Sequence, residues 1–295
     1  MDERDGRLAS GWKAGRGWTQ RFGLPTLGAL TLGALAVCVV SGVVVATGYD
    51  AARPVDSVLA FEVGRPYGWF FRALHAHSAQ LGLLGLIAHT LEYLARGGER
   101  QVPPGHWVVV MASLPVTLYL MLGGRALVGD AEGLGVAAVM RGLLEQLPVF
   151  GAASADVLVG ANAGGDMTLL LTHHVSSATL LLLVLTVAHL KRVVPDAAAT
   201  AVALGLSGAV ALAVRPAVVL SDAPVALEGP WYMAGLRLML QQLPAWFAGL
   251  ALPLSFYLLF SSLPWLPEAR MRAVRFVIFA ISVAYGLLIA MAELT

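Results

Sequence analysis

The chain has 295 residues, 58% of them hydrophobic and only 13% charged, with a formal net charge of +1 and a mean hydropathy of +0.76. A soluble domain of this length carries roughly twice that share of charge, so a water-soluble globule is excluded. The nearly balanced charge gives no footing for nucleic acid.

Residues 1–24 are polar and basic, with Arg4, Arg7, Lys13, Arg16 and Arg21. They read as a cytoplasmic tail and not as a cleavable signal peptide, because the first apolar run is long enough to stay as a span. Apolar runs of about 20 residues, the length needed to cross a bilayer, lie near 25–47, 69–95, 106–128, 168–190, 199–220, 243–265 and 272–292. Seven helices are expected, in an all-α transmembrane fold. The runs do not alternate as strands do, and in lipid the backbone must bond within its own segment. Cys38, in the first run, has no partner for a disulfide, and no CxxCH haem-attachment motif exists. It reads as a small buried hydrophobe.

The third-to-fourth connection, 129–167, is about 40 residues long, and connections of that length are usually functional. Its stretch 142–151 (GLLEQLPVFG) reads as a short helix lying in the membrane interface. Arg96, Arg100, Lys191, Arg192, Arg270, Arg272 and Arg275 share one side with the basic tail if the seven spans alternate. The other side carries mixed charge. The positive-inside rule then sets the N-terminus in the cytoplasm and the C-terminus outside, in a cell inner membrane. Residues 25–192 form a four-helix unit with every candidate ligand. Residues 193–295 form a three-helix unit without histidine.

Six of the seven histidines lie in or at the ends of two apolar helices: His75, His77 and His89 in the second, His173, His174 and His189 in the fourth. Ionisable residues within a membrane are costly and mark function. His75 and His89 are 14 apart, which at about 100° per residue returns them to within roughly 40° of one face, roughly 21 Å apart along the axis. His174 and His189 are 15 apart, within roughly 60° of one face. His77 and His173 do not pair with the lower histidines in this way and read as local hydrogen-bond partners; His106 reads as an interface residue. The second and fourth helices run in the same direction. His75 therefore faces His174 near the outside, and His89 faces His189 near the cytoplasm. Each pair can clamp a flat macrocycle, giving two haem b groups stacked across the membrane. Bis-histidine ligation leaves no open iron position, which suits electron transfer. The bland alternatives are helix-packing histidines bonded across the bundle, or a metal ion, which would not need two levels.

Gly28 and Gly42 repeat the 14-residue spacing in the first helix, and Gly124 stands near the outer end of the third. Missing side chains there would let a macrocycle approach the backbone. Val110, 14 residues before Gly124, breaks the pattern. Small residues for helix packing explain any single one of these glycines nearly as well.

Residues 68–75 (GWFFRALH), followed by His89, are similar to the Gly-Trp-x-x-Arg-x-x-His segment of cytochrome b of the bc-type quinol-oxidising complexes. Residues 229–232 (GPWY), with Leu243 and Pro244, align with that family's Pro-Glu-Trp-Tyr segment and the helix after it. The chain most resembles the split form of that cytochrome fused to its three-helix subunit IV. The resemblance implies that Arg72 contacts a propionate of the outer haem, and that 142–151 walls an outer quinol site together with Trp231 and Tyr232. It also implies a Rieske iron–sulfur protein and a c-type cytochrome as partners, and a homodimer. Several family residues are absent. Pro230 replaces the glutamate that accepts a proton from quinol, and Glu228, with Asp222, stands nearby as a substitute or as a solvated loop acid. Leu169 to Thr172 stand where the family has an arginine, Gln241 replaces another, and the cysteine that holds an extra haem in the split form has no counterpart.

Three functions follow as expectations. The first is a quinol oxidoreductase that oxidises quinol outside and reduces quinone (menaquinone or ubiquinone) inside, translocating protons. The second is a di-haem membrane anchor passing electrons between quinone and a non-Rieske enzyme. The third is a non-redox transporter or channel, against which the sparse polar residues of the last three runs speak.

Overall fold

The computed structural model describes residues 25–160, 166–190, 195–220 and 229–294, with only the backbone at 188–190. All regular structure among the described residues is helical. The order is α1 (Leu27–Ala46), α2 (Pro54–Gly64), α3 (Gly68–Ala95), α4 (Pro104–Ala126), α5 (Ala131–Glu145), α6 (Gly151–Leu158), α7 (168–190), α8 (Ala197–Ala213), α9 (Trp231–Gln242), α10 (Phe247–Trp265) and α11 (Glu268–Leu294).

Local chemistry sets these ends. Thr26, Asp130 and Asp196 cap α1, α5 and α8 by accepting from the amides of Ala29, Gly133 and Ala199, which satisfies donors the helix cannot. Pro54 and Pro104 open α2 and α4, where a missing N–H costs nothing. Inside α4, Pro115 cannot donate to the Met111 carbonyl, and the helix breaks at Ala112 into Pro104–Met111 and Ser113–Ala126. Pro253 acts likewise in α10, which starts with a π turn, Phe247–Ala251.

Among the described residues, five helices are long and apolar enough to cross a membrane: α1, α4, α7 (as Thr168–Val187), α10 and α11. That count corrects the expected seven, although all seven runs are helical. The three histidines and Gln80 lower the apolarity of α3. The α8 helix has only 17 residues, about 25 Å of rise. It ends at Ala213 and not near 220, because Pro216 forbids helix at the residue before it. The single interfacial helix expected at 142–151 is also corrected. The chain makes two helices, α5 and α6, and turns between them, with Pro148 followed by Val149 at φ 71°.

The longest helix contact is α1 along α3; α8 lies across both. Gly33 makes this close approach feasible, since a Cβ there would stand 2.9 Å from the Ala199 carbonyl oxygen. The α7 helix leans on α4, α10 leans on the first half of α4, and α9 packs on α11. One apolar core joins the ends of α4 and α7 to α5 and α9 around Ala126, Val136, Leu170 and Met233. Another joins α3, α4, α10 and α11 around Leu94, Trp107, Phe260 and Ile278. There Trp107 Nε1 donates to the Phe260 carbonyl at 3.1 Å. Beyond α8, residues 214–220 run as an extended strap over α3 towards α5. Arg215 stacks 4.4 Å from the Trp69 ring, and Val219 donates to Asp130 at 2.8 Å.

Candidate functional site

The imidazoles of His75 on α3 and His174 on α7 face each other with ring centroids 6.2 Å apart and planes at 81°. Two metal–imidazole bonds of about 2 Å each, added to the ring radii, span about 6 Å. The separation therefore fits one metal held axially between the two rings. Among the described residues no three His, Cys, Asp or Glu side chains cluster as a bare ion would need. A macrocycle brings its other four donors itself, so two opposed imidazoles suffice.

Tautomer and orientation of His75 follow from its neighbours. Nδ1 donates to the Cys38 carbonyl at 2.9 Å, with Cys38 Sγ also 3.5 Å away. The carbonyl only accepts, so the proton sits on Nδ1 and the Nε2 lone pair is left for a metal. Four residues on, Gly42 makes room for the ring: a Cβ there would come within 2.8 Å of His75 Cε1. The same arrangement recurs on α4. A Cβ at Gly124 would meet His174 Cε1 at 2.9 Å, and the carbonyl of Leu120, four residues earlier, lies beside that imidazole. His174 Nδ1 itself is buried without a hydrogen-bond partner.

At the other level His89 rests on Gly28, whose Cβ would stand 3.0 Å from His89 Cε1. Glu92 Oε2 lies 3.8 Å from His89 Nδ1, and its other oxygen binds Arg96 at 2.7 Å. His89 opens on an apolar cavity of about 90 Å³, lined by Gly28, Leu32, Trp107, Val110, Leu182 and Leu185 among others. Position 189 follows Leu185 by four residues, one turn along α7; the His189 side chain lies outside the described residues. The residues present fit a metal-bearing macrocycle at the His75–His174 level, and at the other level the described residues supply one imidazole, His89, and an apolar wall.

The three glycines face the histidine rings rather than open space, so what they accommodate directly is the imidazole. His77 and His173 serve as ties: His77 Nε2 donates to the Val214 carbonyl (2.9 Å) and His173 Nε2 to the Val157 carbonyl (2.8 Å), with Ser177 Oγ 2.7 Å from His173 Nδ1. Arg72 is buried and pairs with Glu62; it also donates to the carbonyls of Pro216 (2.9 Å) and Ala217 (3.4 Å). Of the proposed outer-site residues, Glu228 lies outside the described residues. Trp231 Nε1 donates to Gln80 Oε1 (3.1 Å), and the Tyr232 hydroxyl donates to the Met121 carbonyl (3.1 Å), one turn before Gly124. Burial pushes the Tyr232 hydroxyl pKa well up, so it stays a proton donor. The sequence reading took Cys38 only as a small buried hydrophobe and did not single out Leu120. Their signal is a fixed offset: each stands four residues before a glycine that seats a histidine.

Facing imidazoles seated on glycines inside a helical membrane bundle are an arrangement suited to a membrane cytochrome. The comparisons with known proteins agree. The model of the family "Cytochrome b/b6/petB" matches residues 22–195, more than half of the chain. The chain belongs to this cytochrome b family. It is 28% identical over 103 residues to cytochrome b6 of Synechococcus elongatus, covering 35% of this chain and 48% of that protein. Cytochrome b6 of Bigelowiella natans is 27% identical over 147 residues, 48% of this chain and 67% of that one. The first of these matches spans about half the relative's length. Among solved structures, a chain of a "Hyperthermophilic respiratory Complex III" superposes with a TM-score of 0.63 at 22% identity, covering 90% of this chain and 83% of the other. That likeness extends the shared fold beyond the family match into the last helices.

Proposed function

We propose that the chain is the di-haem cytochrome b subunit of a bc-type complex. It oxidises quinol near one membrane face, moves electrons across the bilayer and supports proton translocation. The observation that carries the reading is the 6.2 Å opposition of His75 and His174, each seated on a glycine of a neighbouring helix. In this reading His75 and His174 hold the outer haem b, and His89 and His189 the inner one. When bound, the two groups supply one-electron carriers of different depth.

The protein's own residues do the rest. The Cys38 carbonyl fixes the His75 tautomer, and the apolar chamber around His89 keeps water from the reduced metal. Gly28, Gly42 and Gly124 let the rings stand between helices. Trp231 and Tyr232, docked on Gln80 and Met121, hold α9 near the outer pair, where quinol would bind. Glu228 is the candidate proton acceptor there, and Arg72 the candidate propionate contact. A Rieske iron–sulfur protein passing electrons to a c-type cytochrome would take one electron, and quinone on the inner side the other. Resemblance to the family also supports a homodimer in the cell inner membrane, N-terminus in the cytoplasm, with 25–192 as the haem bundle and 193–295 as the subunit IV-like part.

A second reading has one observation in its favour: Pro230, not a carboxylate, caps α9. The same two-level wire would then serve a non-Rieske redox enzyme without splitting the quinol electrons. Purification of the native complex with assay of its haem separates the readings. A b-type reduced-minus-oxidised band with two haems per chain and a co-purifying iron–sulfur subunit is expected. Absence of the b-type band overturns both readings, and a molybdenum- or nickel-containing companion selects the second.

A further inference from the structure

The two histidine helices carry different spacings, 14 residues in α3 and 15 in α7. In uninterrupted α-helices the partners could not match. Fourteen residues turn the second position to about −40° from the first, and fifteen turn it to about +60°. The difference is a full residue of rotation, about 100°, which would swing position 189 away from the chamber that His89 faces.

The α7 helix is interrupted just there. Residues Thr168–Thr172 and Ala178–Leu190 are α-helical, but His173–Ser177 form a π turn, with the Ala178 amide bonded back to the His173 carbonyl. A π turn takes up one extra residue without adding rotation. No proline accounts for it, in contrast to α10. Side chains fasten it instead. The Thr179 hydroxyl donates to the His174 carbonyl five residues back, Ser177 Oγ lies 2.7 Å from His173 Nδ1, and Ser176 Oγ donates to the Thr172 carbonyl at 2.5 Å. An ordinary helix directs a threonine hydroxyl to the carbonyl four back, as Thr186 does to Leu182 at 2.8 Å. The bond from Thr179 therefore belongs to the widened turn.

We propose that this π turn is the register device that makes a 15-residue spacing equivalent to the 14-residue spacing opposite, and that Thr179 is the positioning residue that holds it at His174. With the extra residue absorbed, His174 and position 189 stand about 21 Å apart at about the same −40° offset as His75 and His89. Thr179 touches no cofactor in this scheme; it acts through the His174 backbone. The inference rests on the four-histidine reading above.

The test uses the full-length chain purified from membranes, with haem-to-protein ratio and low-spin ferric EPR as readouts. Wild type should hold two haems; a wild type with none overturns the four-histidine reading itself. Thr179→Val should lose one haem or shift one of the two EPR signals, and Thr179→Ser should restore both. Deletion of Ser176 returns the spacing to 14 with continuous α-helix, and it should retain two haems and rescue Thr179→Val. The register proposal is overturned if wild type holds two haems but the Ser176 deletion loses one, or if Thr179→Val leaves both signals unchanged.

Discussion

At the residue scale, the site depends on what is missing as much as on what is present. His75, His89 and His174 each press on a helix position that has no side chain. A methyl at Gly42 would stand 2.8 Å from His75 Cε1 and 3.0 Å from Nδ1, too near for the ring to keep its bond to the Cys38 carbonyl. Gly42→Ala should therefore displace the ring and lower haem content to about one per chain. Gly124→Ala should do the same through His174. Gly28→Ala, at 3.0 Å from His89, should act more mildly on the other haem. Gly205→Ala is the control, because a Cβ there meets nothing within 4 Å. Pyridine haemochrome assay against protein concentration reads all four. The 14-residue glycine repeat was legible in the sequence because helices repeat on a fixed angle. That the glycines seat imidazoles was not, since it depends on how closely α1 approaches α3. The carbonyl of Cys38 was not singled out because every residue has one; its place four residues before a glycine marks it only once packing shows that the glycine seats a ring.

At the scale of elements, the bundle is fastened by a few polar clasps at its ends. Asp130 is the clearest. Its fully buried carboxylate caps α5 at Gly133, receives Val219 from the strap and pairs with Arg125 at 2.7 Å. Burial opposes its ionisation, but the Arg125 guanidinium and the Val219 and Gly133 amides outweigh burial and hold its pKa below the usual carboxylate range. A depressed folded pKa means the contribution is complete above the unfolded value of about 3.9 and is lost as pH falls through the lower folded value. Asp130→Ala leaves Arg125 short of a buried partner and should cost about 3–5 kcal/mol. Thermal unfolding in detergent should show that gap unchanged from about pH 5 to 8, closing only below about pH 4. Capping at Asp130 and Asp196 and the breaks at Pro115 and Pro216 act through neighbours a few residues away, yet apolar runs alone did not mark them and carried α8 on to 220. The split of 142–151 into two helices was not marked either. Its glycine, leucines and glutamate read as one amphipathic turn, and only the left-handed Val149 after Pro148 shows that the chain reverses there.

At the scale of the molecule, the candidate ligands and the later helices are divided in sequence but joined in space. All four histidines precede residue 193, and the family model ends at 195. Yet α8 lies across α1 and α3, behind the His75 side of the site, and the strap after it supplies several partners to α3. His77 donates to Val214, and Arg72 donates to Pro216 and Ala217. Sequence periodicity finds each helix but carries no term for contacts between distant ones, so this dependence was not legible. It predicts the behaviour of a shortened chain. A protein ending at residue 195 keeps every histidine and every glycine seat. It also strips two acceptors from the buried Arg72, one from His77 and the covering helix from Gly33. A buried cation that loses acceptors costs several kcal/mol unless the structure opens to water, and opening α3 at Arg72 moves His75, one turn away. The shortened chain should therefore retain the His89-level haem better than the His75-level one. Co-expression with residues 196–295 as a separate polypeptide should restore two haems per complex. Haem-to-protein ratio and the number of potentiometric steps distinguish these outcomes. A shortened chain that holds both haems alone would show that the first four histidine-bearing and glycine-bearing spans need no support from α8 and its strap.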